Sequence, residues 1–176
     1  SRSEEDQVGI AFTRATVGGV ITSAMHNQLI DAWDNPICRV TTATVQTTSA
    51  TAGALTVINF DTEAFDVYGM HSTTTNNSRI TIPTGWGGYY LAFGRARINV
   101  GSAQLVTQFA VNGNQVGSSA DRSIGFGPSA QGAFGKVFDI LQLNANDYVE
   151  LQVLSDTASQ TLVAGNCFLS LGFIHQ

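Results

Sequence analysis

The stretch Arg79-Ile80-Thr81-Ile82-Pro83-Thr84-Gly85-Trp86-Gly87-Gly88-Tyr89-Tyr90-Leu91-Ala92-Phe93-Gly94 decides the fold class. Arg79–Ile82 alternates in polarity and stops at Pro83. Gly85–Gly88 reads as a turn, and a long strand runs from Tyr89 to about Val100. A period of two, punctuated by proline and glycine, marks antiparallel sheet. Working outward, 37–48 (ICRVTTATVQTT) and 54–60 (ALTVINF) are rich in residues that favour strands. Leu105, Phe109 and Val111 share one face of the next strand, with Val106, Gln108 and Ala110 opposite. Asn112-Gly113 is a strong hairpin signal. Residues 117–132 are rich in glycine and serine, contain Pro128 and read as a loop with room for a short strand. Strands follow at 134–143, 147–155 and 167–175, and Asn144–Asp147 joins the first two. In 147–155, Val149, Leu151 and Val153 face in, while Tyr148, Glu150 and Gln152 face out. Short strands at this spacing make an all-β sandwich or jelly roll.

Composition agrees. The chain has 176 residues, the size of one domain with a short appendage. Charged residues are 12%, about half the usual share, while apolar residues are 43%. Lys136 is the sole lysine, which excludes a coiled coil, and the apolar content excludes a disordered chain. A net charge of −5 argues against a nucleic-acid binder. No apolar run reaches the roughly 20 residues of a membrane helix, so membrane insertion is not expected. Cys38 and Cys167 are far apart and have no metal-binding spacing, and they read as buried free thiols.

The period changes near Asn35-Pro36. Residues 1–19 read as an extended polar arm with Glu4, Glu5 and Asp6 together. Residues 22–34 (TSAMHNQLIDAWD) carry a helical pattern. Thr22 or Ser23 caps it, Met25, Leu29, Ile30 and Trp33 form one apolar stripe, and Asn35-Pro36 stops it. The stripe packs either on its own domain or on another chain. The N-terminus shows no basic region followed by an apolar one, so no signal peptide is expected.

Several motifs then line up with a known family. Phe65-Asp66, Gly69, Arg79–Pro83 and Gly88-Tyr89-Tyr90-Leu91 resemble the centre of the complement globular head and tumour necrosis factor jelly roll. Leu141–Val149 resembles that family's hairpin, with Ala145-Asn146 where a glycine is usual, and Leu171–Ile174 resembles its last strand. The resemblance spans residues 37–176. Gly69-Met70-His71-Ser72 is closer to the versions found in bacteriophage tail and fibre proteins, and Val20–Asn27 resembles an N-terminal segment common in such proteins. The resemblance implies a homotrimer with Leu91, Phe93, Phe168, Ser170, Gly172 and Ile174 at the interface. It also implies first and last strands that are antiparallel neighbours, with Cys38 beside the end of the last strand and too far from Cys167 to pair.

Catalytic, cofactor and metal motifs are not evident. Gly125–Ala130 matches a dinucleotide fingerprint by letter but contains Pro128 and precedes no helix. His26, His71 and His175 are scattered. Asp61, Glu63, Asp66 and His71 are close enough to bind a cation or act as acid and base, or else simply to build a turn. Asn76-Asn77-Ser78 is a glycosylation sequon by letter. Trp86, between glycines, is a candidate to stack on a sugar from an exposed loop, or to plug the end of the sandwich. Arg95 and Arg97 share a face with Leu91 and Phe93. On a trimer axis they call for carboxylates or an anion; otherwise the strand has already reached solvent there.

The resulting expectation is a non-enzymatic phage virion protein, without cofactor or metal. It displays a trimeric jelly roll (37–176) from a tail or tail fibre and contacts host-surface glycan or protein. Residues 1–36 attach it to other virion proteins through Met25, Leu29, Ile30 and Trp33. A head fibre or capsid decoration protein is the alternative, and a free carbohydrate-binding module a more distant one.

Overall fold

The computed structural model describes residues 35–99, 104–117, 123–125 and 132–176. The expected arm and helix, with Met25, His26, Leu29, Ile30 and Trp33, lie outside the described residues. So do Phe126–Ala130 of the glycine-rich loop. Among the described residues every regular element is a strand. In chain order they are β1 (Ile37–Thr41), β2 (Gln46–Thr47), β3 (Leu55–Val57), β4 (Thr62–Asp66), β5 (Arg79–Thr81), β6 (Gly88–Ile98), β7 (Leu105–Val111), β8 (Asn114–Gln115), β9 (Ser123–Gly125), β10 (Ala133–Leu143), β11 (Tyr148–Ser155), β12 (Thr161–Leu162) and β13 (Phe168–His175).

They form two antiparallel sheets. The first runs β2-β12-β6-β13-β1-β4, with β10 on the other side of β6. The second runs β3-β11-β7-β8, with β5 also on β11 and β9 on β7. First and last strands are neighbours, as the resemblance implies: Cys38 is opposite Leu171, and the Thr42 N–H donates to the Cys167 carbonyl at 3.2 Å. Both cysteines are free and buried. Burial raises both thiols above their ordinary pKa.

Alternation sorts each long strand between core and outside. On β6, Tyr90, Ala92, Ala96 and Ile98 are buried and meet Phe109, Leu151 and Val153 of the other sheet in one core. The layers approach closely at two glycines. A Cβ on Gly94 would lie 2.4 Å from Leu151 Cδ1, and one on Gly135 would lie 1.8 Å from Thr107 Oγ1. Close contact at these points requires the absence of a side chain.

The single strand expected over 37–48 is two strands. Asp61 accepts hydrogen bonds from the Ala43 and Thr44 amides, and this turns the chain out of the sheet between β1 and β2. The strand expected over 54–60 shortens to β3, and Ile58 and Phe60 enter the core beyond it. On β7 and β11 the face expected to point outward is covered: Gln108 and Gln152 are buried and joined by a 3.1 Å hydrogen bond. The Asn112-Gly113 hairpin forms as expected, with φ of 52° and 78°, both left-handed, as a tight turn between β7 and β8 requires.

Candidate interaction surface

Because β6 buries every second residue, Tyr89, Leu91, Phe93, Arg95 and Arg97 point away from the core. Cross-strand partners share a face, so register alone builds the surface around them. One row runs Ile140, Leu91, Gly172, Ile37 across β10, β6, β13 and β1. The next runs Phe138, Phe93, Ser170, Arg39 and on to Phe65 of β4. Phe138 is 76% exposed, Ile140 59% and Leu91 52%. Ile37, Phe65, Phe93 and Ile174 are exposed as well. Register thus brings these exposed apolar side chains together on one sheet face.

Leu91, Phe93, Ser170 and Gly172, singled out from sequence, therefore fall on one face, while Ile174 is exposed at a register shift between Phe173 and His175 and has no cross-strand partner. Phe168 points the same way but is only 6% exposed. Its ring is covered by Arg39, 4.1 Å from the centroid, by Arg95 at 5.3 Å and by Phe93 at 5.4 Å between centroids. The strand expected at 134–143 is β10, but its outward residues Phe138 and Ile140 were not among those singled out for the interface. Its run Val137-Phe138-Asp139-Ile140-Leu141 is apolar at both phases of the alternation, and that pattern signals a strand with two covered faces.

The same face gathers positive charge. Lys136 is directly opposite Arg95, and Arg97 is opposite Phe134 with its guanidinium 5.0 Å from the ring. Arg95 donates from Nε and Nη2 to the backbone and side-chain oxygens of Asn166, at 3.1 and 3.2 Å. Arg39 completes the group, while Arg79 lies on the other sheet over Tyr148.

The remaining candidates are built into the scaffold. Asp66 accepts from the Met70 and His71 amides, both at 2.9 Å. His71 is buried, with Nδ1 3.0 Å from Glu63 Oε1 and Nε2 3.2 Å from the Asn77 carbonyl. This cluster fastens the segment between β4 and β5. Among the described residues, no group of three or more His, Cys, Asp or Glu side chains is arranged to hold a metal ion. Trp86 is half-buried in an edge-on stack between Tyr68 and Phe173, and its carbonyl accepts from Tyr90 Oη at 2.7 Å. His175 is exposed at the end of β13, and Asn76 occupies a left-handed turn with φ 52°.

No family model matches the chain, and neither does any curated protein. Solved structures do. Murine APRIL at pH 5.0 superposes with a TM-score of 0.57 at 11% identity, over 80% of this chain and 99% of that one. The globular domain of zebrafish complement 1qA protein superposes with a TM-score of 0.55 at 12% identity, over 81% and 98%. At such identity the likeness concerns the fold alone, and that fold is the jelly roll of the tumour necrosis factor and complement globular-head type.

Proposed function

We propose that this chain is a structural protein of a bacteriophage virion, a tail or tail-fibre component that displays a trimeric jelly roll toward the host surface. The observation that carries the trimer is the exposed apolar face centred on Phe138, Ile140 and Leu91. Burying Phe138, Ile140 and Leu91 on a neighbouring copy contributes roughly 1.5–3 kcal/mol per side chain before ordering costs. The virion assignment rests on the phage-like motifs Gly69–Ser72 and Val20–Asn27. Residues 1–36 are the attachment segment in this reading. Burying Met25, Leu29, Ile30 and Trp33 on a virion partner supplies roughly 6–10 kcal/mol, and three linked copies add avidity.

Labelled antibody against the chain, applied to purified particles and imaged, tests the assignment. Label on the tail is expected. Label on the head gives the decoration-protein reading instead, and unlabelled particles refute both. Replacing Leu29 and Trp33 with Ala in the full chain should reduce incorporation into particles while the melting temperature of the β domain stays nearly unchanged.

A further inference from the structure

Among the described residues β10 pairs with β6 alone, which makes it an edge strand. The neighbouring β9 lies toward its Gly135 end, where Leu105 and Thr107, the partners of β9 on β7, meet that glycine. Hydrogen bonds at the end of β6 tell which backbone groups of β10 are open. The Val163 N–H donates to the Arg97 carbonyl and the Asn99 N–H to the Thr161 carbonyl, both at 2.9 Å. Odd-numbered residues of β6 thus turn their backbone toward β12 and β13. Even-numbered ones turn toward β10, because the direction alternates along an antiparallel strand. Gly94, Ala92 and Tyr90 are opposite Val137, Asp139 and Leu141, so these three complete the ladder. Lys136, Phe138 and Ile140 turn their N–H and C=O groups to the open edge. A long edge with exposed Phe138 and Ile140 on it is a template for another strand. Asp139 interrupts it. Val137 and Leu141 on either side are buried, and alternation calls for a third apolar side chain between them. A half-buried carboxylate stands there instead, and it accepts from the Ile140 N–H at 2.8 Å in the open row.

We propose that Asp139 guards this edge against β10 of a second copy, and so keeps association of the chain off the edge and on the sheet face. Two β10 strands meeting antiparallel about a two-fold axis at Phe138 would set Phe138 opposite Phe138 and Lys136 opposite Ile140. Their open N–H and C=O groups would then close a second ladder. The same register puts the two Asp139 side chains diagonally across one face, within reach of each other. Closing the ladder strips water from both carboxylates and brings like charges together, a cost that rises as water leaves. It also takes the Ile140 N–H from the side chain that holds it. The guard holds whether or not the sheet face builds a trimer, because it is read as mass gained over the unchanged chain.

The test uses the full chain. Asp139→Val and Asp139→Thr remove the charge and supply residues that favour strands. Light scattering on a sizing column should show each variant gaining mass with loading concentration, toward about twice the parent mass, while the unchanged chain holds a constant mass. Amide hydrogen exchange locates the contact. Phe138 and Ile140 should exchange roughly tenfold or more slowly in the associated variants, and Val137 and Leu141, already bonded to β6, should not change. Asp139→Lys, which keeps a charge on the edge, should run at the parent mass. Asp139→Val and Asp139→Thr chains that stay folded at the parent mass at every concentration overturn the guard. Larger species in which Phe138 and Ile140 exchange as in the unchanged chain place the contact elsewhere and overturn it too. An Asp139→Lys chain that gains mass as the others do removes charge as the cause, with the same consequence. Loss of the fold in both uncharged variants makes Asp139 a structural residue, which also overturns it.

Discussion

Phe93 of β6 and Phe138 of β10 are directly opposed on the outward face of the larger sheet, and both are exposed. Two phenylalanines paired across strands and turned toward solvent serve no core. They make the centre of the surface on which this account depends. Phe138→Asp should therefore leave the single chain folded, because the side chain touches little within it, while placing a carboxylate where a partner's apolar surface would press. The expected result is loss of the assembly on a sizing column with far-ultraviolet circular dichroism unchanged. An unaltered assembly would move the interface away from β10.

The close approach of the two sheets gives a different kind of prediction. Gly135→Ala puts a methyl group 1.8 Å from Thr107 Oγ1, and Gly94→Ala puts one 2.4 Å from Leu151 Cδ1. At Gly94 the Leu151 side chain has to change rotamer against Phe109 and Val137, and at Gly135 the Thr107 Cβ, 2.9 Å away, has to give as well as its hydroxyl. Each change should destabilise the β domain by about 1–3 kcal/mol in urea unfolding.

Cys38 and Cys167 are both fully buried, and burial raises their thiols away from the reactive thiolate. Iodoacetamide should leave the native chain unmodified over hours and label two thiols per chain once it is unfolded without reductant. A disulfide in the unfolded, unreduced protein would contradict the register that pairs Cys38 with Leu171.

Asp147 predicts the acid limb of stability. The Asn112 side-chain amide, then the Asn144 backbone and side-chain N–H groups, stabilise its charged form and hold the carboxyl below its ordinary 3.8. The folded state thus binds fewer protons than the unfolded chain near that pH. The contribution is present above the ordinary value and disappears as pH falls through the lowered one. Asp147→Asn should lower the melting temperature at neutral pH and flatten its decline below about pH 4. Equal slopes in the two proteins would remove Asp147 from the account.

Much of this was readable from residues, because the strands that build the site alternate cleanly. Tyr90, Ala92, Ala96 and Ile98 against Leu91, Phe93, Arg95 and Arg97 is a period of two that assigns both faces of β6 at sight. The β1–β13 register was carried by the family resemblance and by the spacing of the two cysteines from their strand ends. What escaped depends on contacts distant in sequence. The break after β1 is made by Asp61 reaching back to Ala43 and Thr44. The His71–Glu63 pair, and the cover that Arg39 and Arg95 give Phe168, likewise need the folded chain to bring them together. Gln108 and Gln152 looked like outward residues because glutamine is usually solvated. Their mutual hydrogen bond satisfies Gln108 Nε2 and Gln152 Oε1 inside the fold.

The central claim is that the exposed face of the larger sheet is completed by two further copies of this chain. Light scattering on a size-exclusion column measures it most directly, on the full chain across a wide range of loading concentrations. A mass near three times 18.6 kDa that persists on dilution is the expected result. A mass near 18.6 kDa at every concentration, with the chain folded, would contradict it.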